Sequence, residues 1–121
     1  MKIAVPVLLT LCALATPALA ENYPVSGRWG ESDSGAKGAI DCDGHRVIDF
    51  NGNQRTDSRG GVPSYRNRSV TEEGQDSYRV VDEFATGQIS ARTNYGLRKV
   101  DDDHIEMNLQ PGGTVKLQRC K

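Results

Sequence analysis

The chain has 121 residues, with 15 Lys and Arg against 16 Asp and Glu and a formal net charge of −1. A domain-sized length, no basic surplus and interspersed signs exclude a general nucleic-acid binder and leave room for one folded unit. With 13 glycines and no window of 3.6-residue apolar period, the chain is not helical.

Residues 1–20 read as a signal peptide. Lys2 is a short basic start, residues 3–15 are almost wholly apolar, and Ala18-Leu19-Ala20 is a small-x-small cleavage site that makes Glu21 the mature N-terminus. The apolar run falls short of the ~20 residues that span a bilayer, and Pro17 interrupts it. Leu9-Thr10-Leu11, ahead of Cys12, lacks the small residue that lipoprotein processing wants beside the cysteine. The expectation is export to a bacterial periplasm or beyond, with residues 21–121 forming a single domain, monomeric and free of the membrane. Cys12 leaves with the signal, so Cys42 and Cys120 remain to pair in an oxidising compartment. Closing so long a loop is worth roughly 4 kcal/mol in the chain-entropy model.

In the mature chain, Pro24 keeps the lead extended, and residues 26–30 form the first predicted strand, carrying the single tryptophan, Trp29. The trio Gly27-Arg28-Trp29 resembles the first-strand signature of lipocalins and other calycins. That resemblance implies an up-and-down barrel closed at one end by the tryptophan. Residues 31–38 are a polar loop, and residues 39–43 and 46–50 are predicted to form a hairpin through Asp43-Gly44. Asn51-Gly52 is a turn, and residues 53–58 are too polar to predict a strand. Beyond the break at Gly60-Gly61-Val62-Pro63, residues 65–71 predict a strand with Tyr65, Asn67 and Ser69 on one face and Arg66, Arg68 and Val70 on the other.

Residues 76–84, 88–100, 104–109 and 114–120 alternate apolar and polar side chains, as a half-buried antiparallel sheet requires. Ile89, Ala91, Thr93, Tyr95 and Leu97 share a face, as do Ile105, Met107 and Leu109, then Val115 and Leu117, and Tyr78, Val80, Asp82 and Phe84. These sets are the predicted core. Cys120 falls out of phase with Val115 and Leu117, so either it bridges on the outer face or the strand bulges before it. The fold class is all-β: an antiparallel up-and-down barrel of about eight strands, with a two-sheet sandwich as the alternative.

Asp82 is the one carboxylate that alternation places among apolar neighbours, so it requires a cationic partner, with Arg92 and Arg119 as candidates, or a wet barrel mouth. With Tyr65, Asn67, Thr93 and Tyr95 it makes a candidate ligand-binding set. Asp101-Asp102-Asp103-His104 reads as a charged turn, since consecutive turn residues do not converge on one ion; Asp41, Asp43 and His45 read likewise. No metal, cofactor or catalytic residue is expected: with 2 histidines and bridged cysteines there is no nucleophile–base pair. Arg55, Arg59, Arg66 and Arg68 form the densest basic region, a candidate surface for an acidic partner. The functional expectation is an exported non-catalytic binding protein for a small ligand or a protein. The alternatives are an inhibitor of a secreted or host hydrolase, entering its cleft with an exposed segment 21–26, and, third, an enzyme.

Overall fold

Alternation of side chains over residues 65–119 makes one strand after another half apolar, and such strands are stable only when their apolar faces turn to a common interior. In the computed structural model, which describes residues 22–109 and 111–121, eight antiparallel strands do this by closing into a barrel. The strands are β1 (Gly27–Glu31), β2 (Val47–Asn51), β3 (Gln54–Asp57), β4 (Tyr65–Gly74), β5 (Ser77–Thr86), β6 (Ile89–Asp101), β7 (His104–Leu109) and β8 (Gly113–Arg119). Each pairs with the next, and β8 returns to β1 through Trp29↔Arg119 and Glu31↔Leu117. The expected signal peptide, Cys12 and Glu21 lie outside the described residues. Among the described residues no helix is long and apolar enough to cross a membrane.

The predicted core faces meet inside except at the start of β6, where Ile89 was expected in the core but lies 67% exposed at the barrel's rim. Trp29, Ile48, Phe50, Val80, Tyr95, Leu97, Ile105, Met107 and Leu117 are each at most 2% exposed, and they fill the barrel through its base. Trp29 sits at the base with its indole N–H donated to Ser26 O and the Arg119 guanidinium stacked 4.4 Å from its ring centroid. The segment before β1 enters the barrel as well: Tyr23 is buried against Phe50, and its amide donates to Gly52 O in the β2–β3 turn. Gly52 carries φ +65°, the conformation that the Asn-Gly pair supplies there.

Three expectations need correction. Residues 39–43 form no hairpin with β2; Ile40 makes a single parallel bridge to Cys120, and the strand count is restored by β3, in the polar stretch that predicted none. In β4, Arg68 is an extra residue: Asn67 pairs with Asp82 while Ser69 pairs with Val81 and Val70 with Val80. This bulge moves Val70 to the inner face and Ser69 to the outer, reversing the predicted facing beyond it. Finally, the basic region does not form a patch, because Arg55 points into the barrel while Arg59, Arg66 and Arg68 remain outside.

Residues 32–46 run as a strap over the outside of β1 and β8. Cys120 takes the outer-face option and bonds to Cys42 in this strap. Gln118, on the same outer face and fully buried, donates to Ala36 O and Gly38 O at 2.8 Å each and accepts from the hydroxyls of Ser32 and Ser34. Where the strap crosses β1 the backbone comes so close that a Cβ on Gly30 would lie 2.6 Å from Cys42 Sγ. Gly30→Ala is therefore expected to destabilise the barrel by about 1–3 kcal/mol in a denaturant titration. In a Cys42→Ala/Cys120→Ala background most of that loss is expected to vanish. An undiminished loss there would show that strap and strand are not in contact at this point.

His104 fastens the strap from the other side: Nδ1 lies 2.7 Å from Asp101 Oδ1 and Nε2 lies 2.9 Å from Ala36 O. Two acceptors facing two ring nitrogens are satisfied together only by the imidazolium, and the Asp101 hydrogen bond raises the His104 pKa above its ordinary value. A raised folded value means that this contribution is complete below the unfolded value near 6.5 and is lost as pH rises through the folded one. Between about pH 5.5 and 8.5 the wild type is expected to lose more stability than His104→Gln, measured by urea unfolding. Equal losses would mean that the imidazolium does not hold the strap.

Candidate functional site

Inward positions on β3, β4, β5 and β6 bring a set of polar side chains together in the upper half of the barrel. Register places Asn67, Asp82 and Thr93 in one row across β4, β5 and β6, with Arg55 opposite Tyr65 beside it. Asp82 is fully buried and accepts four hydrogen bonds. Oδ1 takes Tyr23 Oη–H at 2.9 Å and Asn67 Nδ2–H at 3.2 Å; Oδ2 takes Arg55 Nε–H at 2.8 Å and Tyr95 Oη–H at 3.2 Å. Burial pushes the Tyr23 and Tyr95 phenols well above their ordinary range, and the neighbouring Asp82 charge adds to the effect at both. Both phenols therefore stay protonated and donate. For Arg55, burial opposes the charged form, but its neighbours Tyr95 and Asp82 raise its pKa, so the guanidinium remains a cation inside the barrel.

Above this cluster opens a cleft of about 570 Å³. Its position follows from unequal strand lengths. Tyr95 on β6 pairs with Leu109 on β7, and residues 89–94 of β6 continue beyond that point, paired to β5 and, among the described residues, to no residue of β7. The cleft lies where β6 runs past the end of β7, with residues 92–94 and Pro111 among those lining it. Ile48, Met107, Leu109 and Val115 supply an apolar side; Arg46, Arg55, Asp57, Tyr65, Arg92, Thr93 and Tyr95 supply the polar one. Arg46 and Asp57 hold each other through Nε–Oδ1 at 3.0 Å and Nη2–Oδ2 at 2.7 Å. Burial would raise the Asp57 pKa, but the Arg46 bonds and the Arg59 amide outweigh it and hold the carboxyl below its ordinary value.

The five residues singled out from the sequence are therefore neighbours: Tyr65, Thr93 and Tyr95 line the cleft, while Asn67 and Asp82 form the layer beneath it. The expected partners of Asp82 are wrong. Arg92 faces Glu83 at 3.9 Å, Arg119 stacks on Trp29 at the base, and the partner is Arg55. Arg55, assigned to the basic region, and Asp57 and Tyr23 were missed as site residues because residues 53–58 were not read as a strand and the lead was not placed inside, and Arg46, though in the predicted strand 46–50, because its partner Asp57 was missed. The period-2 spacing of Arg55 and Asp57 carries that signal. Two buried polar atoms have no partner among the described residues, Thr93 Oγ1 and Asn67 Oδ1. Thr93 lies on the cleft wall. Asp101 and His104 form the charged turn that was expected, and no cluster able to hold a metal ion occurs among the described residues.

Removing one member of a buried ion pair leaves the other uncompensated. Asp82→Asn, which keeps an acceptor for the phenols, is expected to lower unfolding free energy by about 3–5 kcal/mol, with Asp82→Asn/Arg55→Met costing clearly less than the two single variants added together. A double variant that costs the full sum of the two single losses would mean that Asp82 and Arg55 do not act as a pair.

Compared with known proteins, the chain matches no family model, no curated protein and no solved structure.

Proposed function

We propose that this protein is a non-catalytic binding protein that takes a small ligand in the cleft at the barrel mouth, working as an exported monomer in a bacterial periplasm or outside the cell. The observation that carries the reading is the cleft itself. Its volume of about 570 Å³ falls in the range of small-molecule sites, and it combines an apolar side with convergent polar groups. Strands rather than loops hold most of its walls, so the shape is largely formed before a ligand arrives. The Cys42–Cys120 bridge supports the exported location, since such bonds persist in oxidising compartments. Trp29 packed at the base is in keeping with a calycin-like barrel, whose closed end lies opposite its mouth.

Two features favour binding over chemistry. Both oxygens of Asp82 are engaged by four donors, which makes it a fixed acceptor rather than a base with a lone pair to spare. Arg46 and Asp57 are likewise committed to each other. The inhibitor alternative loses its expected device: Tyr23 is buried and Val25 packs on the core, so the segment before β1 is not a free arm for a hydrolase cleft.

Native mass spectrometry on protein purified from its own source tests the proposal. The expected result is a small-molecule adduct that is released on unfolding and is lost in Leu109→Trp, which fills the cleft from its rim. No adduct, together with a stoichiometric complex with a hydrolase, would replace this reading with inhibition.

A further inference from the structure

Arg55 does not spend its full hydrogen-bonding capacity on the barrel. Among the described residues its Nε donates to Asp82 Oδ2, and the Tyr23 phenol lies beside it, while the side chain is only 5% exposed. The guanidinium lies against the face of Tyr65, 3.9 Å from the ring centroid, with the Tyr95 ring at 5.1 Å. These contacts fix its plane, and the Nη1–Nη2 edge, two parallel donors, belongs to a side chain that lines the cleft. Thr93, on the same cleft, carries a buried hydroxyl that is without a partner among the described residues. A buried hydroxyl without a partner is disfavoured unless a ligand or water meets it.

The charge balance selects the sign of that acceptor. Arg46 is offset by Asp57 and Arg55 by Asp82, while Arg92 has only Glu83 at 3.9 Å on the outer side. No carboxylate among the cleft's lining residues is left to repel an anion or attract a cation, since Asp57 is doubly bonded to Arg46. A planar fork of two N–H donors matches the two oxygens of a carboxylate, and the opposite side of the cleft is apolar.

Resting on the binding reading above, we propose that the cleft recognises a small organic carboxylate. Its head group is held by the Nη edge of Arg55 and the Thr93 hydroxyl, and its carbon body lies on Ile48, Met107, Leu109 and Val115. The ion pair with Asp82 then has a second purpose: it aims the guanidinium so that little side-chain entropy remains to be lost on binding.

Three probes with one six-carbon body and different heads, hexanoate, hexan-1-ol and hexylamine, separate the possibilities when titrated into ¹⁵N-labelled protein. Hexanoate is expected to shift the amides of Arg55, Thr93 and Tyr95 and the Arg55 side-chain Nε–H resonance, with a Kd at least about tenfold below those of the other two. In Arg55→Lys, which keeps the charge but not the fork, that preference is expected to fall about tenfold while hexan-1-ol binds as before. If Arg55→Lys gives no folded spectrum, Thr93→Val serves instead, with a loss for hexanoate alone and an unchanged unfolding midpoint. Equal affinity for hexanoate and hexan-1-ol overturns the carboxylate inference and leaves the binding reading standing. Tighter binding of hexylamine overturns the sign. Absence of cleft shifts with all three overturns the carboxylate inference, and the adduct experiment then decides the binding reading on its own.

Discussion

The interior of this barrel is organised around one buried ion pair, Arg55–Asp82. Taking either charge out of water costs several kcal/mol, and the pair is tolerable only because its geometry is good and the remaining lone pairs are used. Here they are used by side chains from four places: the segment before β1, β3, β4 and β6 all send a donor to one carboxylate on β5. The consequence is mechanical. The β3–β4 seam has only the pairs Gln54↔Arg66 and Arg55↔Tyr65, so backbone bonding alone ties it weakly. The carboxylate closes that seam from inside by joining β3 and β4 to a common acceptor. Non-directional apolar packing does not choose one register over the next so sharply, whereas four donors aimed at one carboxylate's lone pairs do.

A second clamp works from outside and on the opposite seam. β1 is short, and its pairing with β8 would be an exposed joint in a barrel of this size. The strap covers it with backbone carbonyls that Gln118 gathers, with the sulfur bridge, and with His104 reaching Ala36 from the β6–β7 turn. Gln118 is the polar counterpart of Asp82: both are fully buried, and both collect bonds from segments distant in sequence. The two clamps divide the work, the carboxylate holding β3 to β5 and the amide holding β8 to the strap. Gly30 is the condition that allows the outer one, since any side chain there would push the sulfur away.

These constraints also decide where a ligand has room. Below Tyr95 the large side chains of Trp29, Phe50, Leu97, Ile105 and Leu117 fill the lumen, as expected for a barrel of eight strands with bulky inward residues. Above it, β6 outruns β7, and the cleft lined by Thr93, Tyr95, Leu109 and Pro111 lies next to the polar cluster. The groups that make the cleft's polar side are thus the ones that stabilise the fold. This is economical in a small domain, and it means that substitutions at Arg55 read out in stability as well as in binding.

Local chemistry was enough to determine the strand class, the facing of β5 through β8 and the bond between Cys120 and Cys42, while it left open whether Cys120 bridges on the outer face or follows a bulge. Each depends on a period of two along a single strand or on a simple pairing of two thiols. The polar row was legible to the same extent: alternation put Asp82, Thr93 and Tyr95 on inner faces, because facing is a property of one strand. What alternation could not show was which strands lie across from one another at a given height, and so the cation opposite Asp82. That is a matter of barrel shear, to which the Arg68 bulge and the unequal lengths of β6 and β7 contribute. β3 was invisible for a related reason, since its stability comes from Arg55 and Asp57 finding charged partners inside rather than from apolar character of its own. The strap, the insertion of Tyr23 and the cleft likewise exist only once the barrel has closed, because each is a contact between segments that no local pattern relates.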